Sequence, residues 1–316
     1  MTTTGANELL GAMLSCPADQ PAPRHSDLAG WKTQWRDLTA QWGEPIDRSV
    51  FGGFLSDRLA WAFVAGYQGA ISRLLPNLPK NAFAAICITE AGGAHPRAIE
   101  ARLCPDEMTG GWRLSGEKRF ITGGEAAAVL VVAASTGVVD GRNQIRMVTV
   151  DRSADGIALT PMPPFAFVPE IPHSIARFEA VRIDPAQVLP GDGYAAVIKP
   201  FRTIEDIHVV GAVLGYLVGV GRRHGWPAAV LERVLAMVAG LRALSLEDPL
   251  APAVHIALAG VFRQLGQRLS EMDTLWESVD TDATQRWRRD RPLLDVANRA
   301  RGLRRAAAWQ HFGQSI

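Results

Sequence analysis

The chain reads as an α+β multidomain protein: N-terminal helices, a central all-β unit built as a barrel or sandwich, then a C-terminal helical bundle. Three observations predict that order. Apolar residues recur at three and four positions up to about residue 80, short strand-like runs bounded by glycine and proline occupy about 83–190, and helical spacing returns after Pro200. The boundaries place a helical domain at 1–81, a β-domain at 82–199 and a helical bundle at 200–316.

In the first segment Leu28, Trp31, Trp35, Leu38 and Trp42 share one face of a helix that follows a Ser26-Asp27 cap. A second helix is expected over 56–75, with Leu59, Phe63, Tyr67, Ile71 and Leu74 on one face and Pro76 and Pro79 ending it. The β-segment holds seven runs: 82–89, 98–104, 111–118, 128–135, 144–151, 156–162 and 173–183. The run 128–135 (AVLVVAAS) is apolar throughout rather than alternating, as expected of a central strand covered on both faces. Thr109-Gly110-Gly111, Asp140-Gly141 and Asp155-Gly156 supply turns, because glycine and short polar side chains accept positive φ. Beyond Pro200, helices are expected at 202–223, 227–244, 252–279 and 283–309, with prolines 227, 249, 252 and 292 at the joints.

Composition narrows the function. Thirty-three Lys and Arg balance 32 Asp and Glu for a net charge of +1, which gives no global field for nucleic acid or an anionic membrane. The longest charge-free apolar stretch, 209–221, has 13 residues against the roughly 20 that span a bilayer. The first thirty residues show no apolar run behind a basic end, and three widely spaced cysteines (Cys16, Cys87, Cys104) make no disulfide framework. A soluble, cytoplasmic protein is expected.

Two clusters concentrate polar and special residues. The first, Thr89-Glu90-Ala91-Gly92-Gly93-Ala94-His95-Pro96, is a Gly-rich loop leaving an apolar strand, where backbone N–H groups can approach a ligand. The second is Leu114-Ser115-Gly116-Glu117-Lys118-Arg119-Phe120-Ile121-Thr122-Gly123-Gly124. Taken alone, the loop reads more simply as a tight connection, and Phe120 and Thr122 as ordinary strand residues.

Together, in order and spacing, the two clusters resemble the middle domain of the acyl-CoA dehydrogenase family: a strand ending in Thr-Glu, a Gly-rich loop, a hairpin, then Gly-x-Lys-x-aromatic-Ile-Thr. The stretch 178–193, ending Val-Leu-Pro-Gly-Asp-Gly, is similar to that family's last strand and its turn into the C-terminal helices. The resemblance covers about residues 83–220. It implies an FAD-dependent oxidoreductase, homo-oligomeric, that oxidises an acyl-CoA thioester between its α and β carbons. By the same resemblance Phe120 packs on the flavin rings, Ile121 and Thr122 complete the motif with the Thr122 hydroxyl donating toward N5, and Thr89 meets the pyrimidine end. Gly93 and His95 fall on the substrate side of the loop. An aromatic wall suits flat rings, and hydrogen bonds to the ring nitrogens tune their electronics.

Such an oxidation needs a carboxylate in an apolar pocket to take the α-proton. The family's usual Glu-Gly-Thr is absent, since Arg289-Asp290 is followed by Arg291-Pro292-Leu293-Leu294-Asp295. A branch that includes isovaleryl-CoA and long-chain enzymes carries the base on the first helix after the β-domain, and Glu205 falls on that position. Asp206 stands where that branch has arginine, so a like charge adjoins the candidate base. Acids also favour a helix's first turn for its dipole alone. The loop has Gly93-Ala94-His95-Pro96 where the family has Gly-Ser-Asp, so the hydroxyl that serves the phosphates is missing, and the Arg-x-x-Phe-Gly and Gln-x-x-Gly-Gly segments have no counterpart. Two alternatives stand beside dehydrogenation: a catalytically degenerate binding protein, and a flavin monooxygenase on the same fold.

Other motifs carry less. Glu205-x-x-His208 is half of a di-iron pattern whose second half is absent, so no metal is expected. Gly219-x-Gly221-x-x-His224 lacks both the preceding strand and the spacing of a dinucleotide loop and reads as helix packing. The arginines from 286 to 305, interleaved with Trp287 and Trp309, read as a solvated or ion-paired helix face, with Leu293, Leu294, Val296 and Ala297 turned inward.

Overall fold

The computed structural model describes residues 5–315. Nine α-helices and seven strands follow the expected helix, sheet, helix order among these residues. The described residues form two compact units: those up to 76, 165–169 and those from 202 on make one, and 77–164 and 170–201 the other. The N- and C-terminal helical segments thus cluster together in the first unit.

In that unit, α1 (Ala6–Ser15), α2 (Leu28–Gln41), α3 (Pro45–Phe54) and α4 (Leu59–Leu74) precede the β-segment. Asp27 caps α2 by accepting the Gly30 N–H at 2.9 Å, and Trp31, Trp35, Leu38 and Trp42 are buried as their spacing requires. Periodicity alone missed α3 because nine of its ten residues are buried, polar Asp47, Arg48 and Ser49 included, so it has no exposed polar face to mark the period. Helix α1 also escaped, being short and Gly-interrupted.

The second unit is a seven-stranded sheet: β1 (Ala84–Cys87), β2 (Arg102–Asp106), β3 (Gly111–Thr122), β4 (Val129–Val139), β5 (Arg142–Asp151), β6 (Ile157–Pro161) and β7 (His173–Ile183). The order is β1-β4-β2-β3-β7-β6, with β5 also paired to β4. β4 therefore meets three strands, and its residues 130–135 are buried in succession, which is why the AVLVVAAS run does not alternate. The β3–β7 ladder carries two one-residue register shifts, one between Leu114 and Gly116 and one between Lys118 and Ile121. The second is a bulge on β3 in the middle of the Lys-x-Phe-Ile-Thr motif.

Back in the first unit, a π-turn at Tyr194–Ile198 in the second unit's last segment leads into α5 (Lys199–Arg223), followed by α6 (Ala228–Leu244), α7 (Pro252–Met272), α8 (Thr281–Asp290) and α9 (Asn298–His311). The single helix expected over 283–309 is corrected to two. Pro292 cannot donate to a continuing ladder, and a short 3₁₀ turn over Arg291–Asp295 separates α8 from α9. With the chain redirected, Val296 is 67% exposed rather than turned inward. The segment Tyr194–Arg223 is long and apolar enough to cross a membrane by composition, yet 94% of its most apolar window is buried inside the protein. Gly53, Gly66, Gly215 and Gly219 are what let α3, α4 and α5 touch: a Cβ on Gly53 would lie 1.8 Å from the Ala212 carbonyl, and one on Gly215 2.0 Å from that of Val50. Gly219 likewise abuts the Phe54 carbonyl, so the Gly219-x-Gly221 pattern is a packing device.

Candidate functional site

The two sequence clusters lie side by side in the second unit. Glu90 is buried at the end of β1, and its carboxylate accepts N–H groups from Glu100 at 2.8 Å and Ala101 at 3.1 Å. Lys118, fully buried on β3, donates to the same carboxylate at 2.5 Å and to the Ile88 carbonyl at 3.3 Å. Burial pushes the lysine down from its ordinary value, and Glu90 opposes that shift. The Arg119 N–H donates to the Thr89 carbonyl at 2.8 Å. The Gly-x-Lys and Thr-Glu motifs are therefore one structure, an ion pair that ties the first loop to β3. The two motifs are visible in the sequence but their pairing is not; a lysine inside a strand was the available signal.

One residue further on, the bulge sets Phe120 at φ 57° and leaves the residue 48% exposed. A bulky residue at positive φ is held by the surrounding structure, here by the paired strands on either side of the extra residue. Ile121 then returns to the buried face opposite Ser174, and Thr122 pairs with His173 on the other face. The Thr122 hydroxyl and His173 Nε2 are 3.3 Å apart, and His173 Nδ1 is 3.1 Å from the Ile171 carbonyl. Burial lowers the imidazole from its ordinary value against that carbonyl's opposing effect. His173 is a residue that sequence reading did not single out; nothing local marks it, because it reaches Thr122 only through the β3–β7 register.

The loop between Glu90 and Ile99 closes tightly, with Glu90 and Gly93 exchanging both backbone hydrogen bonds at 3.0 Å and Gly93 at φ 104°. His95 is exposed, and its Nδ1 accepts the Arg97 N–H at 3.2 Å. Asn143 on β5 holds the loop's far end by donating to the Pro96 carbonyl at 3.0 Å and that of Ile99 at 2.8 Å.

The first unit holds the candidate base. Glu205 lies on α5, partly exposed, and burial together with the neighbouring Asp206 pushes its carboxyl up to about 7. Asp206 is not a free like charge. Arg301 on α9 donates to its Oδ1 at 2.9 and 2.7 Å, and Arg304 bonds Oδ2. Arg301 also lies 4.0 Å over the Phe262 ring of α7. Cations beside Glu205 and Asp206 thus come from α9, about 95 positions further along the chain. Asp290, of the Arg289-Asp290 pair, is fully buried and accepts the Val168 N–H at 2.7 Å, a structural role. Among the described residues no group of three or more His, Cys, Asp or Glu is placed to hold a metal. Buried Cys87 has its thiol pushed up to about 12 by burial, which leaves it inert as a nucleophile.

An exposed aromatic on a strand bulge beside a hydroxyl and a neutral imidazole suits the polar edge of a flat heteroaromatic ring, and that ordering of parts on this architecture defines a class. Residues 85–181 match the family model of the acyl-CoA dehydrogenase middle domain. The solved structures agree over nearly the whole chain: butyryl-CoA dehydrogenase from Megasphaera elsdenii superposes with a TM-score of 0.67 at 13% identity, covering 90% of each chain. FMN-bound TdsC from Paenibacillus sp. A11-2 gives 0.70 at 14% identity, covering 98% of this chain and 97% of that one. PigA with FAD and proline gives 0.64 at 15%, covering 98% and 92%. No curated protein matches. The chain has the acyl-CoA dehydrogenase fold and carries that family's middle domain.

Proposed function

We propose that this protein is an FAD-dependent oxidoreductase that oxidises an acyl thioester between its α and β carbons, with Glu205 as the base. The observation that carries the flavin half is the bulge presenting Phe120 beside Thr122, within a segment that matches the family's middle domain. The donor set fits the ring end of a flavin: Phe120 offers an aromatic wall, Thr122 a polar contact at the ring edge, and Thr89 a second hydroxyl one hydrogen-bonded backbone step from Arg119. When bound, a flavin supplies a two-electron acceptor.

Glu205 contributes the proton chemistry. A carboxyl held at about 7 is ionised enough near neutral pH to accept a proton and basic enough to bind it. Gly93 and His95 are proposed to line the thioester's side of the loop. A carrier-protein thioester in place of CoA is a second reading, supported by the likeness to the prolyl acyl carrier protein oxidase AnaB, whose TM-score is 0.65 at 14% identity. We propose a homo-oligomer of the cytoplasm.

The test is the visible spectrum of the purified protein after incubation with FAD and removal of the excess. Retained flavin bands that bleach anaerobically with an acyl-CoA or an acyl-carrier thioester support the reading and identify the thioester. A protein that retains no flavin at micromolar concentration removes it.

A further inference from the structure

The hydrogen bonds around His173 fix a direction that the resemblance alone left the other way round. The Ile171 carbonyl can only accept, so Nδ1, 3.1 Å away, carries the ring proton. Burial keeps the imidazole neutral by lowering its affinity for a second proton. Nε2 is then a bare lone pair, and the bond of 3.3 Å to Thr122 has one polarity: the Thr122 hydroxyl donates to Nε2. With its proton so placed, the Thr122 oxygen offers lone pairs to anything that approaches it.

That matters for a flavin, whose N5 is an acceptor when oxidised and an N–H donor when reduced. We infer that His173 makes Thr122 an acceptor, so that this site holds reduced flavin in preference to oxidised flavin. His173 is a positioning residue, acting only through Thr122. The inference rests on the proposed flavin reading and adds to it a redox preference. The balance follows from the proposed oxidation: the α-proton goes to Glu205, and the hydride, two electrons and one proton, would go to N5, leaving an N5–H whose hydrogen bond the Thr122 oxygen would accept. Favouring that product draws electrons from a substrate, which suits oxidation of a poorly reducing carbon–carbon bond.

The bulge keeps the geometry from averaging out. Thr122 follows two residues after the extra residue of β3, and its register partner is His173 itself. Without the one-residue shift the strand would present its opposite face at this point, and the hydroxyl would not meet the imidazole.

Two measurements test it. In the flavin-free protein, ¹⁵N chemical shifts of labelled histidine should show His173 with a protonated Nδ1 and an unprotonated Nε2 at pH 7.5. Separately, dissociation constants for oxidised FAD and for dithionite-reduced FAD should differ about tenfold in favour of the reduced form, one neutral hydrogen bond's worth, equal to ~30 mV in a two-electron midpoint potential. His173→Phe should erase or reverse that ratio, Thr122→Val should erase it, and Thr122→Ser should keep it. An Nε2-protonated His173, or a ratio unchanged in His173→Phe, overturns the inference while leaving the flavin reading intact. Failure of both FAD forms to bind overturns the flavin reading and the preference with it.

Discussion

At the scale of single residues, Glu205 and Lys118 each make a buried or partly buried charge pay in a different way. Glu205 moves from its ordinary 4.5 to about 7. Its folded pKa is raised, so the stability linked to its proton is present below the ordinary value and lost as pH rises through 7. Glu205→Gln is therefore expected to be more stable than the parent at pH 8, by about 2 kcal/mol, in urea titrations. The same variant should lose thioester-driven flavin reduction by about 10²-fold or more with FAD still bound, which separates a base from an ordinary buried acid. An unchanged reduction rate would exclude Glu205 from the chemistry. For Lys118, which is fully buried against Glu90, Lys118→Met leaves the buried carboxylate without its cation and should cost about 3–5 kcal/mol. Lys118→Met with Glu90→Gln should recover much of that loss in the same denaturation experiment.

Elements show how tightly backbone spacing is set. α3 and α5 cross where Gly53 meets the Ala212 carbonyl and Gly215 that of Val50, contacts made by main chain that cannot rotate away. Gly215→Ala must push the helices apart, and a loss of several kcal/mol, read as a falling Tm, is expected. Gly240 on α6 is the control, because a Cβ there meets nothing within 4 Å. Gly240→Ala should raise stability by about 0.5–1 kcal/mol through helix propensity alone. A fall on Gly240→Ala would show that this face of α6 is covered in the assembled protein. The β-elements were legible for a related reason. Seven runs were read and seven strands formed, since apolar runs bounded by turn residues have few other uses. The bulge on β3 was not legible, because Phe120 at positive φ is set by the register with β7.

For the whole molecule, pH is the most direct probe, because α5 carries two groups with opposite signs. His208 is buried with Nδ1 donating to the Ile204 carbonyl at 2.8 Å, and burial lowers it from 6.5 to about 4. A depressed histidine loses its stabilising effect as pH falls from 6.5 through 4, whereas Glu205 loses its own as pH rises from 4.5 to 7. Over pH 4.5–6.5 the two slopes oppose each other, so the parent's stability should be nearly flat there. His208→Leu should unmask a stability that falls with rising pH, and Glu205→Gln one that rises. Urea titrations at four pH values across that window check both, and parallel slopes in the two variants would refute the assignment.

What the amino-acid sequence determined by itself was the helix, sheet, helix order, the strands, and the two motifs of the middle domain, because periodicity, turn residues and short-range spacing are local properties. Tertiary structure alone decided the rest. Glu90 and Lys118 stand 28 positions apart in the chain, Thr122 and His173 51, and Asp206 and Arg301 95. Each pair exists only once strand register or helix packing brings its members within hydrogen-bond reach. The lone aspartate beside Glu205 looked like a defect until α9 supplied its arginines, and Thr122 had no partner in the chain until the β3–β7 register set His173 beside it.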